Sequence, residues 1–241
     1  MKLLIISDIH GNVSALNEVL KDSFNRFNPD AIAILGDIID YGMRSNEVIE
    51  ILKEIKIPII CSLWGNHEYA IMKDDYSRFS SERGVISAKR TKRILTNESI
   101  EYLNELDGKT GILELGLEGK RILAVHGSID DVFWGKILPN CDNDKYKEYD
   151  YVFSGHTHFS HIFSVFYKSD NSEYRNMKKT VFINPGSVGQ PRNHNPKAQY
   201  AILDFEVVIF LCGVDYDIVL EQSLFNSEVD PFYRERLKKG I

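Results

Sequence analysis

Cysteine is scarce in this sequence: Cys61, Cys141 and Cys212 are the only three in 241 residues. They are far apart and form no CxxC, which excludes a disulfide framework and a thiolate zinc knuckle and suits a reducing, cytoplasmic setting. No apolar run approaches the roughly 20 residues that span a bilayer. The opening Met1-Lys2-Leu3-Leu4-Ile5-Ile6-Ser7-Asp8 meets a carboxylate too early for a signal peptide, so no membrane partner is expected. Excess positive charge is also missing. Lys and Arg number 29 against 35 Asp and Glu, a formal charge of −6. That balance argues against specific nucleic-acid binding over a broad face and leaves room for a local positive site. No GxxxxGK[ST] loop occurs, so ATP-driven chemistry has no support. Repeats, low-complexity tracts and linkers are absent, and 43% hydrophobic residues suffice for a sizeable core. One domain over residues 1–241 is the expectation.

Short apolar runs at 2–7, 31–35 and 59–63 alternate with helical spacing at 12–27 and 45–55, the order of a parallel or mixed sheet covered by helices. Residues 67–107 read as mostly helical, with Asn97 as a helix N-cap. Strand patterns then dominate, at 111–115, 121–125, 151–153, 162–167, 181–183, 199–203 and 207–214, the last read as a core strand. The polar stretch 168–179 reads as a hairpin loop, 217–225 as a closing helix and 234–239 as a basic end. The class is α/β with much strand.

Polar residues gather just after the predicted strands, where open α/β sheets place their ligands. Asp8-Ile9-His10-Gly11-Asn12 follows the first strand, and Gly36-Asp37-Ile38-Ile39-Asp40-Tyr41-Gly42 the second. Gly65-Asn66-His67-Glu68 follows the third, and His126-Gly127 and Gly155-His156-Thr157-His158 follow later ones. Five of the seven histidines lie in these segments. In an extended segment residues i and i+2 point the same way, so Asp8 with His10, and His156 with His158, are expected to converge. Carboxylate, imidazole and amide donors without thiolate suit manganese, iron, zinc or nickel. Singly, DxH or GDxxD is as easily a turn or a cap. Five such segments in order at successive strand ends are not an accident of composition.

The series D-x-H, G-D-x-x-D, G-N-H-[DE], H, G-H-x-H resembles the calcineurin-like metallophosphoesterases, from Met1 to about Asp204. The run Asn184-Pro185-Gly186-Ser187-Val188-Gly189-Gln190-Pro191-Arg192 is similar to the small single-domain prokaryotic, YfcE-like members. The resemblance implies a four-layer α/β/β/α sandwich, two mixed β-sheets flanked by helices. It implies one divalent metal ion on Asp8, His10, Asp37 and His158. A second would sit on Asp37, Asn66, His126 and His156, with Asp37 shared and manganese the leading choice. A hydroxide between the metals would attack a phosphate ester in line. His67 would protonate the leaving group, with Asp40 orienting it.

Asn12, Tyr41 and Arg192 are candidate contacts to a small phosphate-ester substrate. Tyr41 is also a departure, because the phosphoprotein phosphatases and bis-nucleosyl tetraphosphatases resemble GDxVDRG, with a phosphate-binding arginine at that place. The implied activity is a phosphodiesterase; the alternatives are a phosphomonoesterase or a non-catalytic scaffold like the retromer subunit of this fold. The stretch 67–107 and the loop 128–148, with Trp134 and Tyr146, are expected to wall the pocket. His161 and His194 are expected to have no role, and oligomeric state is open.

Overall fold

Apolar runs and amphipathic stretches resolve into ten strands and seven helices among the described residues of the computed structural model. Those residues are 1–168 and 178–241; most of the expected hairpin loop lies outside them, at 169–177. In chain order the chain forms β1 (Lys2–Ile6), α1 (Val13–Arg26), β2 (Ala31–Ile34), α2 (Ser45–Glu54) and β3 (Ile59–Ser62). Three helices follow, α3 (Asn66–Lys73), α4 (Glu82–Ile94) and α5 (Asn97–Glu105), then β4 (Ile112–Leu117), β5 (Lys120–Val125) and β6 (Tyr151–Ser154). The rest is β7 (His161–Phe166), β8 (Lys179–Asn184), β9 (Ala198–Asp204), β10 (Ile209–Val214), α6 (Ile218–Leu224) and α7 (Pro231–Lys239).

The strands make two five-stranded sheets, ordered β10-β9-β1-β2-β3 and β4-β5-β6-β8-β7. Both are mixed. In the first, β1, β2 and β3 run parallel, with β9 antiparallel to β1 and β10 antiparallel to β9 on one side. In the second, β5, β6 and β8 run parallel between antiparallel edges.

Strand alternation decides which residues meet. Leu3 and Ile5 of β1 face the second sheet and pack with Phe153 and Ile183, forming the core between the sheets. Leu4 and Ile6 face outward onto Leu16 and Val19 of α1 and Val48 and Leu52 of α2. Burial on both faces explains why β1 is apolar throughout. On its outer face the second sheet places Leu123, Val152 and Phe182 under Ile137 and Tyr146. Those last two come from the connection between β5 and β6, which makes one 3-10 turn at Asp144–Tyr146.

The expected strands and helices are present among the described residues, and four details differ. The α5 cap is Thr96, whose hydroxyl accepts from the Ser99 N–H at 3.2 Å, one residue before the expected Asn97. The expected core strand at 207–214 is the edge strand β10, with Phe210 and Leu211 each 39% exposed. Helix α6 does not close the fold, because the basic end is itself a helix, α7. Tyr146, expected to wall the pocket, is instead buried in the core at 1% exposure. No helix among the described residues is long and apolar enough to cross a membrane.

Candidate active site

Six parallel strands end on one side of the sandwich, and the candidate residues stand in the loops that follow them. Asp8 and His10 follow β1, Asp37 and Asp40 follow β2, and Asn66 and His67 open α3 after β3. His126 follows β5, and His156 and His158 follow β6. Convergence is not reached by the strand alternation expected from sequence. Asp8, His10, Asp37, His156 and His158 have φ between 49° and 62°, left-handed backbone that non-glycine residues adopt at a cost. Bonds between loops hold these turns, with the Asp8 N–H donating to Gly36 O and the His10 N–H to Asp37 O, both at 3.0 Å. At Gly65 a Cβ would collide with the Asp37 carboxylate and its backbone nitrogen, so that loop requires glycine.

The side chains form two groups that share one carboxylate: Asp8, His10, Asp37 and His158, and Asp37, His126 and His156. Each aspartate has one oxygen tied down and one facing the centre. Asp8 Oδ2 accepts from the His156 N–H at 3.2 Å, while the buried Oδ1 has no hydrogen-bond partner among the described residues and lies 3.1 Å from His158 Nε2. Asp37 Oδ1 accepts from the His67 N–H at 2.9 Å, and Oδ2 lies 3.6 Å from His10 Nε2 and 3.5 Å from His126 Nε2. The Asn66 Oδ1 stands 3.0 Å from His126 Nε2 and 2.9 Å from His156 Nδ1, which adds an amide oxygen to the second group.

Carbonyl oxygens orient three of the rings. Ile39 O lies 3.2 Å from His10 Nδ1, Leu35 O 2.7 Å from His126 Nδ1, and Gln190 O 2.6 Å from His158 Nδ1. With Nδ1 so engaged, Nε2 is the atom turned to the centre, as in metal-binding histidines.

The electrostatics call for a cation. Burial, then the Asp37 charge, raises Asp8 above the ordinary carboxylate range. Burial also works against ionisation of Asp37, but the facing imidazoles of His126 and His67 hold it well below that range. Burial opposes the charge on His126 too, yet Asp37 pushes it up to about 9, so a proton there balances the carboxylate. Burial holds His10 and His158 well below the ordinary histidine range, and burial with His126 takes His156 to about 3. Neutral imidazoles at His10, His156 and His158 and an orphaned buried carboxylate oxygen suit a divalent metal ion, whose binding would displace the His126 proton.

Two further parts flank the centre. His67 Nδ1 lies 2.6 Å from Asp40 Oδ2, and its Nε2 is 4.0 Å from Asp37 Oδ2. Asp40 Oδ1 accepts from Ser87 and Thr91 of α4, each at 2.7 Å. Glu68 was part of the sequence motif without an assigned role. Fully buried, it accepts from the N–H groups of Asp37, Ile38 and Gly65 at 2.8 Å and of Ile39 at 3.0 Å, which shapes the loop after β2.

A cleft of about 480 Å³ opens on the centre, with Phe79, Trp134 and Phe159 among its aromatic walls and Arg78, Lys136 and Arg192 as its cations. Tyr41 lines it as expected, and Arg192 does so with its Nε buried and unpartnered among the described residues. Asn12 is placed differently from its expected substrate contact. Its Oδ1 caps α1 by accepting from the Ala15 N–H, and its Nδ2 donates to Gly189 O, so both ends are used. His161 and His194 lie outside the cleft lining.

Comparison with known proteins agrees with this geometry. The profile of the calcineurin-like phosphoesterase superfamily domain matches residues 1–207. An uncharacterised protein of Methanocaldococcus jannaschii is 33% identical over 99% of this chain and 98% of its own length. Phosphodiesterase YfcE of Escherichia coli K12 is 25% identical over 93% of this chain and 98% of its own. The crystal structure of a metallophosphoesterase from Sphaerobacter thermophilus superposes with a TM-score of 0.75 at 27% identity, covering 100% of this chain and 99% of that one. The chain therefore belongs to the calcineurin-like phosphoesterase superfamily and is a hydrolase of phosphate ester bonds.

Proposed function

We propose that the protein is a phosphodiesterase that works with two divalent metal ions, manganese being the leading choice, with iron, zinc and nickel also suited to the donors. The observation that carries this reading is the pair of ligand groups meeting at Asp37 Oδ2, with His67 Nε2 only 4.0 Å away. Asp8, His10, Asp37 and His158 would hold one ion, and Asp37, Asn66, His126 and His156 the other. When bound, the ions supply the Lewis acidity that makes water a nucleophile at neutral pH and draws charge from the phosphate oxygens. The chain's own groups do the rest. Burial opposes a charge on His67, but Asp37 and Asp40 together raise its pKa, so the ring holds a proton to give to a leaving oxygen. Arg192 and Lys136 stand in the cleft to pair with substrate oxygens, and Phe79 and Trp134 offer flat apolar walls to an ester arm. The phosphodiesterase name of YfcE supports a diester, while its substrate is left to that protein. The three unpaired cysteines suit a reducing cytoplasm.

The test is to strip the protein with chelator, reload it with manganese, and measure hydrolysis of bis-p-nitrophenyl phosphate beside p-nitrophenyl phosphate. The expected result is metal-dependent turnover with the diester preferred. A preference for the monoester would reassign the protein as a phosphomonoesterase. Two bound metals without turnover on either compound would favour the scaffold reading.

A further inference from the structure

The surroundings of His67 include a part of the chain beyond the family match. Tyr41, Val229 and Tyr233 form a small buried cluster, with Met43, Phe225 and Phe232 packed against it. Tyr233 stands in the first turn of α7 and stacks on Tyr41, with centroids 4.3 Å apart and planes at 22°. Tyr41 in turn meets the His67 ring edge-on at 4.4 Å, and Phe79 meets it at 5.1 Å. The start of α7 is itself fixed. Asp230 caps it by accepting from the Phe232 N–H at 2.8 Å, and Pro231 occupies the first helical position. Both rings are buried, Tyr233 at 2% and Tyr41 at 9% exposure. Tyr41 also has a φ of 58°, a conformation that a tyrosine keeps only where its neighbours hold it.

We infer that Tyr233 is a positioning residue for the reaction: by stacking on Tyr41 it fixes the plane of the His67 imidazole. The hydrogen bond that His67 Nδ1–H donates to Asp40 Oδ2 pins one ring atom and leaves the far edge of the ring to be held by other contacts. Contacts on the ring's edges supply that hold, and proton transfer is sensitive to small misplacements. This inference rests on His67 acting as the acid for the leaving group. A merely structural role would cost stability and would slow every substrate alike.

The experiment uses the full, manganese-loaded chain and methyl aryl phosphate diesters whose leaving phenols run from p-nitrophenol to phenol. His67→Ala, Tyr233→Ala and Tyr233→Phe are compared with the wild type for kcat and KM separately. Tyr233→Ala is expected to lower kcat about tenfold to hundredfold on the phenyl ester, whose leaving group needs a proton. Its KM and its p-nitrophenyl kcat should stay close to wild type, and Tyr233→Phe should restore the phenyl rate. An independent reading is the proton spectrum of the metal-free chain. The His67 Nδ1–H resonance, identified by its loss in His67→Ala, should broaden in Tyr233→Ala and stay sharp in Tyr233→Phe. A uniform rate loss across the series, or an unchanged resonance in Tyr233→Ala, overturns the inference. Phenylalanine behaving like alanine would also overturn it, by assigning the effect to the hydroxyl. If His67→Ala itself is indifferent to the leaving group, the acid reading falls first and this inference with it. Should Tyr233→Ala fail to fold, Tyr233→Leu keeps the apolar volume and is read by the same criteria.

Discussion

Asp40 Oδ2 lies 2.6 Å from His67 Nδ1, while its other oxygen is fixed at 2.7 Å by Ser87 and by Thr91. The carboxylate is therefore oriented by α4 before it orients the histidine. Asp40→Asn keeps the shape and removes the charge that favours protonated His67. The expected result is a fall in kcat of about 10- to 100-fold on esters with poor leaving groups. Metal content, measured by elemental analysis after desalting, should be unchanged. Loss of metal in Asp40→Asn would contradict this division of labour.

Asp37 and Asn66 differ in how many ligand groups they join. Asp37 belongs to both groups, whereas the Asn66 oxygen faces only His126 and His156. Asp37→Ala should lose all tightly held metal and all turnover. Asn66→Ala should keep one ion per chain, held by Asp8, His10, Asp37 and His158. Equal stoichiometry in the two variants would remove Asp37 from its shared role.

Glu68 predicts a stability effect. Its carboxylate accepts four backbone N–H bonds from Gly65, Asp37, Ile38 and Ile39. Glu68→Ala leaves those buried donors unpaired, at about 1–3 kcal/mol for each group that water cannot reach. At the low end of that range the four donors cost about 4 kcal/mol together, which corresponds to a Tm lower by about 8–16 °C in a protein of this size. Thermal unfolding followed by circular dichroism measures it. A shift within error would mean that the loop after β2 holds its own shape.

The grouping of the candidate ligands is legible because each lies next to the carboxyl end of a parallel strand, and strand ends can be read from apolar runs. The means of convergence was not legible. The left-handed φ of Asp8, His10, His156 and His158 depends on hydrogen bonds between loops distant in sequence. Asn12 was misread for a related reason, since a helix N-cap and a substrate amide look alike beside a glycine. Glu68 showed a carboxylate in a motif but not the four donors contributed by two loops. Helix α7 was missed because its charged run, Arg234-Glu235-Arg236, hides a sparse apolar face of Tyr233 and Leu237. The Asp230-Pro231 pair is the start signal that marks it.

Cys61 offers a pH prediction remote from the centre. Burial between the sheets, then the Asp107 charge, pushes its thiol up to about 12 from an ordinary value of 9.0. Between those values the folded chain keeps a proton that the unfolded chain has released. Stability therefore falls as pH rises above about 9, by about 1.4 kcal/mol per unit for this group. At pH 8 a thiol reagent should modify exposed Cys141 quickly and leave Cys61 untouched until unfolding. Fast modification of Cys61 in the native protein would contradict its burial.

The candidate ligands come from both halves of the sandwich. Asp8, His10, Asp37 and Asn66 follow strands of one sheet, and His126, His156 and His158 follow strands of the other. A cation held among them is a rivet through the two plates at their open end, whereas at mid-height they meet through apolar contacts such as Leu3 and Ile5 with Phe153 and Ile183. Ligand binding at about 100 times Kd adds about 2.7 kcal/mol to folding. Supply of metal would then set the mechanical integrity of the molecule as well as its turnover. A chain without a bound cation would then be expected to part first at the ligand-bearing loops, where the two sheets lack that tie.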